Sequence, residues 1–286
     1  MVTVKIPFLD LLKVADSGQA FRIKVIDGSH IELVAYGRYL QIAKTDKDTY
    51  AFSCSEEEFE QIWRRYLDLD RDYEAIVSSI EKKDSYLIDA ARFGCGIRIL
   101  RQDVFETTIS YIISQRRSIP SITTSVERIS KLCGKKIKAP ELEKPFVKPL
   151  SDEYYAFPTP LELSTLPFSQ LEDTGVGYRA PYIARAAEEF VSGKLDPVAL
   201  AELSDDDLYK ALTGMYGVGT KVANCIMLFA FARTGRFPVD VWIQRIEDRY
   251  YGGRFDCTPY PDTAGIMQQF MFYYERRRDY AVISGK

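Results

Sequence analysis

The chain has 286 residues, of which 46% are hydrophobic and 28% charged, a composition that excludes a disordered or fibrous protein. No apolar run approaches the roughly 18 residues of a membrane-spanning helix, and no signal-peptide pattern opens the chain. The five scattered cysteines form no C-x-x-C pair, which argues against a zinc site or a redox dithiol. A four-cysteine iron–sulfur loop near the C-terminus is excluded, because only Cys257 lies there. We therefore expect a protein of the reducing cytoplasm.

Apolar and polar residues alternate along the first third of the chain, which predicts an antiparallel sheet. Asp27-Gly28 is a two-residue hairpin signal. Ser55, followed by three glutamates, is typical of a helix N-cap with acids in the first turn. We expect an N-terminal β domain with flanking helices over residues 1–95. The predicted strands are 21–26, 31–35, 39–43 and 50–54.

Beyond residue 67 the apolar residues recur with helical spacing, punctuated by prolines and glycines. The stretch 140–160 holds five prolines and is predicted to be a surface connection. The fold class is therefore α+β: an N-terminal antiparallel sheet, then two mainly helical subdomains with a cleft between them. Residues 96–245 form the predicted helical core, and 246–286 a C-terminal helix that packs back on it. The predicted helices are 103–114, 119–132, 164–173, 179–192, 205–212, 218–233, 241–250 and 264–275.

Positive charge is concentrated in one segment, although the net charge of the chain is −3. Between Gln115 and Lys138 there are seven lysines and arginines, including Arg116 and Arg117, against a single acid, Glu127. Taken alone, the cluster fits a solvated helix face as well as a surface that follows a phosphate backbone.

A glycine-rich hairpin, residues 215–221 (M-Y-G-V-G-T-K), leads directly into an apolar helix. Its glycines Gly217 and Gly219 allow close backbone approach and leave N–H groups unpaired at the helix start, which suits a phosphate. This is a helix–hairpin–helix pattern. A nucleotide-binding Walker loop is disfavoured, because Thr220 precedes Lys221 and no strand precedes the turn.

An acidic residue, Asp240, stands at the start of the next predicted helix after this hairpin. Pro238 holds the chain extended, and Asp240 stands where a new helix begins, as an N-cap does. Taken singly, Asp240 is best interpreted as a cap and Lys221 as an exposed lysine. Considered together, the positions of Lys221 and Asp240 relative to the hairpin favour a catalytic pair.

Five motifs, in order, resemble those of the 8-oxoguanine DNA glycosylases in the helix–hairpin–helix glycosylase superfamily. The resemblance covers nearly the whole chain and implies a double-stranded DNA partner that contains an oxidised purine. The motifs are S-G-Q-A-F-R at 17–22, L-R-Q-D at 100–103, G-V-G-Y-R-A at 175–180, the hairpin at 216–225 with P-V-D at 238–240, and G-I-M-Q-Q-F-M-F at 265–272.

The resemblance assigns the chemistry to two residues. Lys221 would attack C1′ of the sugar, displace the base and form a Schiff base that permits β-elimination, which makes the enzyme a glycosylase and an AP lyase. Attack needs a neutral amine, and burial at a helix N-terminus favours that form. Asp240 would stabilise the positive charge that develops on the sugar.

Four residues are implied to hold the flipped base. The carbonyl of Gly18 would accept a hydrogen bond from N7–H, which 8-oxoguanine has and guanine lacks. Gln268 would bind the Watson–Crick edge, and Phe272 and Cys225 would cover opposite faces. Without the resemblance, Cys225 and Phe272 would be assigned to the core.

The resemblance also implies contacts with the duplex. Tyr178 would wedge beside the estranged base, with Arg179 next to it at the DNA. Gly217 and Gly219 would bind phosphate, and Arg116 and Arg117 add positive charge. No cofactor is required, but backbone carbonyls of the hairpin are candidates for a cation that bridges to phosphate. These carbonyls belong to Thr213, Met215 and Val218.

The chain departs from the family pattern at several positions. Tyr216 replaces the usual proline before G-V-G, and Asn224 stands where an aspartate is common. Ser121 occupies the place of the arginine that reads the opposite cytosine. We therefore predict a weak preference for the opposite base, with Arg116 or Arg117 as the substitute.

Two other functions stay open from the sequence. One is a glycosylase of the same fold that removes another damaged purine, such as an alkylated one. The other is a non-catalytic helix–hairpin–helix module that binds DNA only. We expect a monomer, associated with the nucleoid if the host is bacterial.

Overall fold

The computed structural model describes residues 1–283. Its N-terminal part is a five-stranded antiparallel sheet of order β1-β5-β4-β3-β2, which confirms the predicted sheet. Asp27 caps the β2–β3 hairpin turn by accepting hydrogen bonds from the backbone N–H groups of Ser29 (2.8 Å) and His30 (3.0 Å). The strands are β1 Val2–Lys5, β2 Ile23–Val25, β3 His30–Ala35, β4 Arg38–Asp46 and β5 Thr49–Phe52.

Three strands of the structure were not predicted. β1 pairs with β5, so that Val2 lies opposite Phe52. A second, two-stranded sheet joins β6, Lys136–Lys138, to β7, Glu153–Tyr155. β7 lies within 140–160, which was predicted to be a surface connection without a strand assigned to it. Such strands depend on a partner that is distant in the chain, which local periodicity does not reveal.

The remaining described chain is mainly helical, as predicted. The helices are α1 Leu11–Asp16, α2 Glu56–Glu58, α3 Arg64–Tyr66, α4 Tyr73–Ser78, α5 Ser85–Gly94, α6 Val104–Ile113, α7 Ile119–Cys133, α8 Pro160–Ser164, α9 Phe168–Leu171, α10 Ala180–Val191, α11 Pro197–Ala201, α12 Asp205–Thr213, α13 Thr220–Phe229, α14 Val241–Tyr250 and α15 Ala264–Ile283. No helix among the described residues is long and apolar enough to cross a membrane.

Most predicted helices lie within a few residues of their observed bounds, with three exceptions. The predicted helix 264–275 continues further, to Ile283. The predicted helix 164–173 is two short helices, α8 and α9, because Pro167 interrupts the stretch and lacks the N–H that a continuous helix needs. The predicted helix 218–233 ends earlier, at Phe229, and the chain then turns through Ala232, whose φ is +54°.

Two hydrophobic cores support the site. The first lies under the N-terminal sheet and centres on Trp63, Phe59 and Phe52, all nearly inaccessible to solvent. The second joins the helices and includes Ile109, Ile112, Ile183 and Ile226. Helix α5 packs along α15 in this second core. The division at residues 95 and 245 stays a prediction.

The turn at residues 17–19 is fastened to the start of the helical region. The Gln19 side chain is buried, donates to the Arg98 carbonyl (2.8 Å) and accepts from the Leu100 N–H (2.7 Å). The Gln19 carbonyl accepts hydrogen bonds from Gln102 (2.9 Å) and from the Tyr111 hydroxyl (3.1 Å). This network holds the turn at the mouth of the cleft, beside α6 and α13.

Candidate active site

A cavity of about 770 Å³ lies between the 17–19 turn, the α6–α7 loop and helices α13, α14 and α15. It brings together residues from segments that are far apart in the chain. The predicted site residues that line it are Gly18, Arg116, Arg117, Lys221, Cys225, Asp240, Gln268 and Phe272. The predicted lysine–carboxylate pair and the four predicted base-binding residues therefore share one cavity.

Lys221 lies in the first turn of α13, whose N-cap, Gly219, provides no side-chain acceptor. The lysine is half-buried, and its Nζ lies 5.1 Å from the centre of the Tyr111 ring. Tyr111 stacks in turn on Phe229, with 5.5 Å between ring centres. The stacked rings of Tyr111 and Phe229 thus form an aromatic wall of the cavity beside the Lys221 amine.

Cys225 follows Lys221 by one helical turn and is buried. Burial raises the pKa of the Cys225 thiol to about 11; the nearby Lys221 opposes this rise and Asp240 adds to it. The thiol is therefore neutral near pH 7 and forms an apolar wall. Lys221 and Asp240 both change the pKa of the Cys225 thiol, which agrees with the position of all three residues around the same cavity.

Asp240 is the N-cap of α14, as predicted. Its Oδ1 accepts hydrogen bonds from the backbone N–H groups of Trp242 (3.0 Å) and Ile243 (2.9 Å). The other carboxylate oxygen, Oδ2, takes no part in this cap. The cap fixes the orientation of the half-buried carboxylate at the cavity wall.

Gln268 connects α15 to the segment before Asp240. Its side-chain N–H donates to the Pro238 carbonyl (3.1 Å), and its Oε1 accepts from Gln269 (2.9 Å). Both glutamines are buried and line the cavity. Gln269, which the sequence analysis did not single out, thus orients the amide of Gln268.

Gly18 is the position where the cavity wall tolerates no side chain. Its φ is +77°, and an added Cβ would lie 2.8 Å from Cδ1 of Ile119 and 3.2 Å from Cε1 of Phe272. The backbone of Gly18 therefore lies directly against the Phe272 ring. A larger residue would have to displace that ring or the isoleucine.

Tyr178 lies on an exposed turn outside the cavity lining, with 54% of its surface accessible. Its ring meets Tyr182 edge to face at 6.1 Å between centres, and Tyr182 meets Tyr216 in the same manner at 4.8 Å. Tyr216 is also exposed. A continuous row of three tyrosines thus joins the turn at residues 175–179, here called the wedge turn, to the hairpin.

The structure directs the side chain of Arg179 into the protein. Only 6% of the residue is exposed, and its guanidinium donates to the carbonyls of Val176 (3.1 Å) and Gln115. The Gln115 side chain donates to the Gly217 carbonyl (3.0 Å). Arg179, which was predicted to contact DNA, is thus part of a buried link in which Gln115 joins the wedge turn to the hairpin.

The two predicted arginines of the α6–α7 loop differ in their surroundings. Arg116 is exposed, and its φ is +53°. Arg117 donates to the hydroxyls of Ser121 (2.9 Å) and Ser125 (3.0 Å) and to the Gly175 carbonyl (2.9 Å). Burial lowers the pKa of Arg117, and the positive charges of Arg179 and Arg128 lower it further. Arg117 therefore fastens the wedge turn to α7.

The hairpin has the sharp turn that its glycines predict. Gly217 has a φ of +82°, and the Met215 carbonyl accepts a hydrogen bond from the Val218 N–H (3.2 Å). The carbonyls of Thr213, Met215 and Val218 stay candidates for a cation. Among the described residues, no group of three or more His, Cys, Asp or Glu side chains is placed to hold a metal.

Replacing the two hairpin glycines is expected to have unequal effects. In Gly217→Ala the new Cβ would lie 2.3 Å from the Tyr182 ring at a positive φ, so we expect about 1–3 kcal/mol of destabilisation. In Gly219→Ala the Cβ meets nothing within 4 Å, so we expect a change within about 0.5 kcal/mol. Chemical denaturation of both variants measures this. Equal losses would contradict the proposed packing.

Several site residues were missed by the sequence analysis. Tyr111 was part of a predicted core helix, and its burial agrees with that assignment, but its ring also lines the cavity. Asp16 and Arg276 line it as well and carried no recognisable motif. Of these three residues, only Tyr111 gave a usable signal, as an aromatic ring with a hydroxyl group in a helix whose residues are mostly buried.

Known proteins that are similar to this chain agree with its fold. The model of the 8-oxoguanine DNA glycosylase N-terminal domain matches residues 1–108, and the model of the HhH-GPD superfamily of base excision DNA repair proteins matches residues 109–264. A probable N-glycosylase/DNA lyase of Methanothermobacter thermautotrophicus is 32% identical over 240 residues, which cover 73% of this chain and 72% of that protein.

Two solved structures match almost the whole chain. MBOgg1 in complex with a low-affinity DNA ligand is 36% identical with a TM-score of 0.87, covering 97% of this chain and 96% of that one. The Clostridium acetobutylicum 8-oxoguanine glycosylase/lyase, bound to double-stranded DNA with cytosine opposite 8-oxoguanine, is 31% identical with a TM-score of 0.86, covering 96% and 93%. The chain therefore belongs to the HhH-GPD superfamily of base excision DNA repair proteins and carries the N-terminal domain of its 8-oxoguanine DNA glycosylases.

Proposed function

We propose that this protein is a bifunctional DNA glycosylase and AP lyase that excises 8-oxoguanine from double-stranded DNA. The observation that carries the proposal is the presence of Lys221 and Asp240 in the same cavity as Gly18 and Phe272. The relatives described as glycosylase/lyase support it. The protein acts as a monomer in the cytoplasm, on nucleoid DNA if the host is bacterial, and its chemistry needs no cofactor.

Extrusion of the lesion comes first, because a base inside the duplex is unreachable. Extrusion costs a few kcal/mol, which an inserted aromatic ring offsets in part. The exposed Tyr178 is the wedge in our proposal, and Tyr182 supports it from behind. Arg179 and Arg117 act by holding the wedge turn in place, while Gly217 and Gly219 present backbone N–H groups to a phosphate.

In the chemical step the neutral amine of Lys221 attacks C1′, and the bond from C1′ to the base nitrogen breaks with its electron pair leaving on the base. Loss of the amine proton and opening of the sugar ring give a Schiff base. Removal of a C2′ proton then expels the 3′ phosphate by β-elimination. Asp240 stabilises the positive charge that develops on the sugar.

Recognition of the lesion is assigned to the cavity wall. The Gly18 carbonyl accepts N7–H of 8-oxoguanine and repels the N7 lone pair of guanine. Phe272 and the neutral Cys225 thiol cover the two faces of the base, and Gln268 binds its Watson–Crick edge. Tyr111 is a positioning residue, because it contacts the Lys221 amine and donates to the Gln19 carbonyl beside Gly18.

Single-turnover cleavage of a duplex with one 8-oxoguanine tests this function. We expect strand cleavage at the lesion and none in the undamaged duplex. A panel that includes alkylated purines separates the alternative, a glycosylase of the same fold with another lesion. Binding without any cleavage of the panel would support a non-catalytic module and contradict the proposal.

The opposite base is expected to have little influence on excision. Ser121 stands where the family has an arginine, and here its hydroxyl accepts from Arg117, which uses its guanidinium on protein groups. We expect rates opposite C, A, G and T to agree within about tenfold, because a charged hydrogen bond to the opposite cytosine, which contributes about 1.5–3 kcal/mol, is absent at position 121. A hundredfold preference for C would contradict this. Arg116→Ala tests whether the exposed arginine supplies the remaining preference.

A further inference from the structure

An ion pair between a buried arginine and a partly exposed aspartate lies at the end of the cavity where the base is proposed to bind. Arg276 on α15 is only 7% exposed, and its guanidinium donates to the backbone carbonyl of Asp16 and, at 2.9 Å, to its Oδ2. Asp16 is the last residue of α1 and precedes Gly18 by two positions. The pair therefore joins the C-terminal helix to the turn that carries the Gly18 carbonyl.

The same arginine also contacts the other wall of the base pocket. Its guanidinium carbon lies 5.6 Å from the centre of the Phe272 ring, one helical turn earlier on α15. The Phe272 ring in turn lies against the backbone of Gly18. Gly18, Phe272, Arg276 and Asp16 thus form a closed circle of contacts around one end of the cavity.

A contribution to the stability of the fold does not explain well why the Asp16–Arg276 pair is present. Taking the Arg276 guanidinium out of water is costly, and its attraction to the partly exposed Asp16 carboxylate offsets that cost only in part. The Nε of Arg276 is also buried without a hydrogen-bond partner among the described residues, which adds to the cost. A residue kept under these conditions beside a binding cavity is a candidate for a role in that cavity.

We propose that the Asp16–Arg276 pair is a specificity-positioning device, which fixes the spacing between the Gly18 carbonyl and the Phe272 ring. This inference rests on the proposed function. Discrimination between N7–H and a lone pair depends on where the carbonyl is held, because attraction and repulsion both weaken as the carbonyl moves away. Without the pair the pocket still binds a purine, but it distinguishes 8-oxoguanine from guanine less well.

Arg277 provides a matched control within the same helix. Its guanidinium reaches the same Asp16 carboxylate at 2.5 Å, but 44% of its side chain is exposed. Its guanidinium carbon lies 5.8 Å from the Tyr273 ring centre rather than against Phe272. Arg277→Met therefore removes the same charge and one ion pair to Asp16 while leaving the circle of contacts intact.

The test measures equilibrium binding in a Lys221→Gln background, so that no substrate is consumed. Dissociation constants are determined for duplexes that carry guanine, 8-oxoguanine or 8-bromoguanine, a base of similar size without N7–H. We expect Arg276→Met to lower the ratio of the guanine to the 8-oxoguanine constant about tenfold, which corresponds to about 1.4 kcal/mol. Arg277→Met should keep the ratio within about twofold of the parent.

Three further variants make the test robust. Asp16→Asn should lower the ratio less than Arg276→Met does, because the bond from Arg276 to the Asp16 backbone carbonyl remains. The double variant should lower the ratio no further than Arg276→Met, because the two residues act as one unit. Arg276→Lys keeps the charge but loses the forked geometry, so it should recover part of the ratio. If Arg276→Met does not fold, the ratios of dissociation constants measured for Asp16→Asn and Arg276→Lys test the inference instead.

Unchanged ratios in the Asp16 and Arg276 variants would overturn the inference, as would an equal loss in Arg277→Met. The proposed function fails separately, because it predicts that the Lys221→Gln parent itself prefers 8-oxoguanine over both guanine and 8-bromoguanine. A parent without that preference contradicts the lesion assignment, whatever the Arg276 variants do.

Discussion

Lys221→Gln is expected to abolish covalent trapping by borohydride on 8-oxoguanine DNA and to lower excision by about 10⁴-fold or more. Borohydride reduces a Schiff base to a stable amine, and glutamine has no amine with which to form one. The variant should still bind the lesion duplex, because the cavity walls and the hairpin are unchanged. Gel analysis of trapped complexes and single-turnover cleavage measure the two losses.

Lys210→Gln is the matched control for this substitution. Lys210 lies on α12, the helix that precedes the hairpin, where its ammonium pairs with Asp207 at 3.3 Å on an exposed face. Its replacement removes the same charge from the helix–hairpin–helix region without touching the cavity. Wild-type trapping by Lys221→Gln, or an equal loss in Lys210→Gln, would exclude Lys221 as the nucleophile.

Asp240→Asn should separate the two roles of this residue. Asparagine is also a good N-cap, so its side-chain oxygen can keep the bonds to Trp242 and Ile243, and we expect a stability change within about 0.5 kcal/mol. The lost negative charge should lower excision by about 10²–10³-fold, because the charge that develops on the sugar is no longer stabilised. Thermal unfolding and single-turnover excision report on the two effects independently.

Asp240→Ala completes this comparison. It removes both cap and charge, and we expect it to cost about 1 kcal/mol of stability in addition to the same loss of excision. An Asp240→Asn variant that excises at the wild-type rate would show that the carboxylate serves the helix alone.

The sequence was informative where local patterns determine structure. Strict alternation and the Asp27-Gly28 turn were enough for four strands of the N-terminal sheet, since side-chain direction in a strand repeats every two residues. The hairpin glycines and the Asp240 cap were equally readable, because each depends on backbone geometry within a few residues. The lysine–carboxylate pair followed from these two local signals and the family resemblance.

The remaining features depend on contacts between distant residues. β1 pairs with a strand almost fifty positions away, and no periodicity in V-T-V-K identifies that partner. The contact between Asp16 and Arg276 spans 260 positions. The inward direction of Arg179 is likewise set by the Gln115 carbonyl, which belongs to another segment. Such contacts are properties of the packed chain, so sequence patterns alone did not predict them.

The burial of Cys225 has a consequence for the durability of the protein under oxidative stress. Peroxides oxidise the thiolate form of cysteine, and a pKa of about 11 leaves only about one part in 10⁴ in that form near neutrality. The sulfur that faces the cavity is thus poorly reactive toward peroxides. A thiol wall of the proposed base pocket can therefore stay reduced when peroxide levels rise.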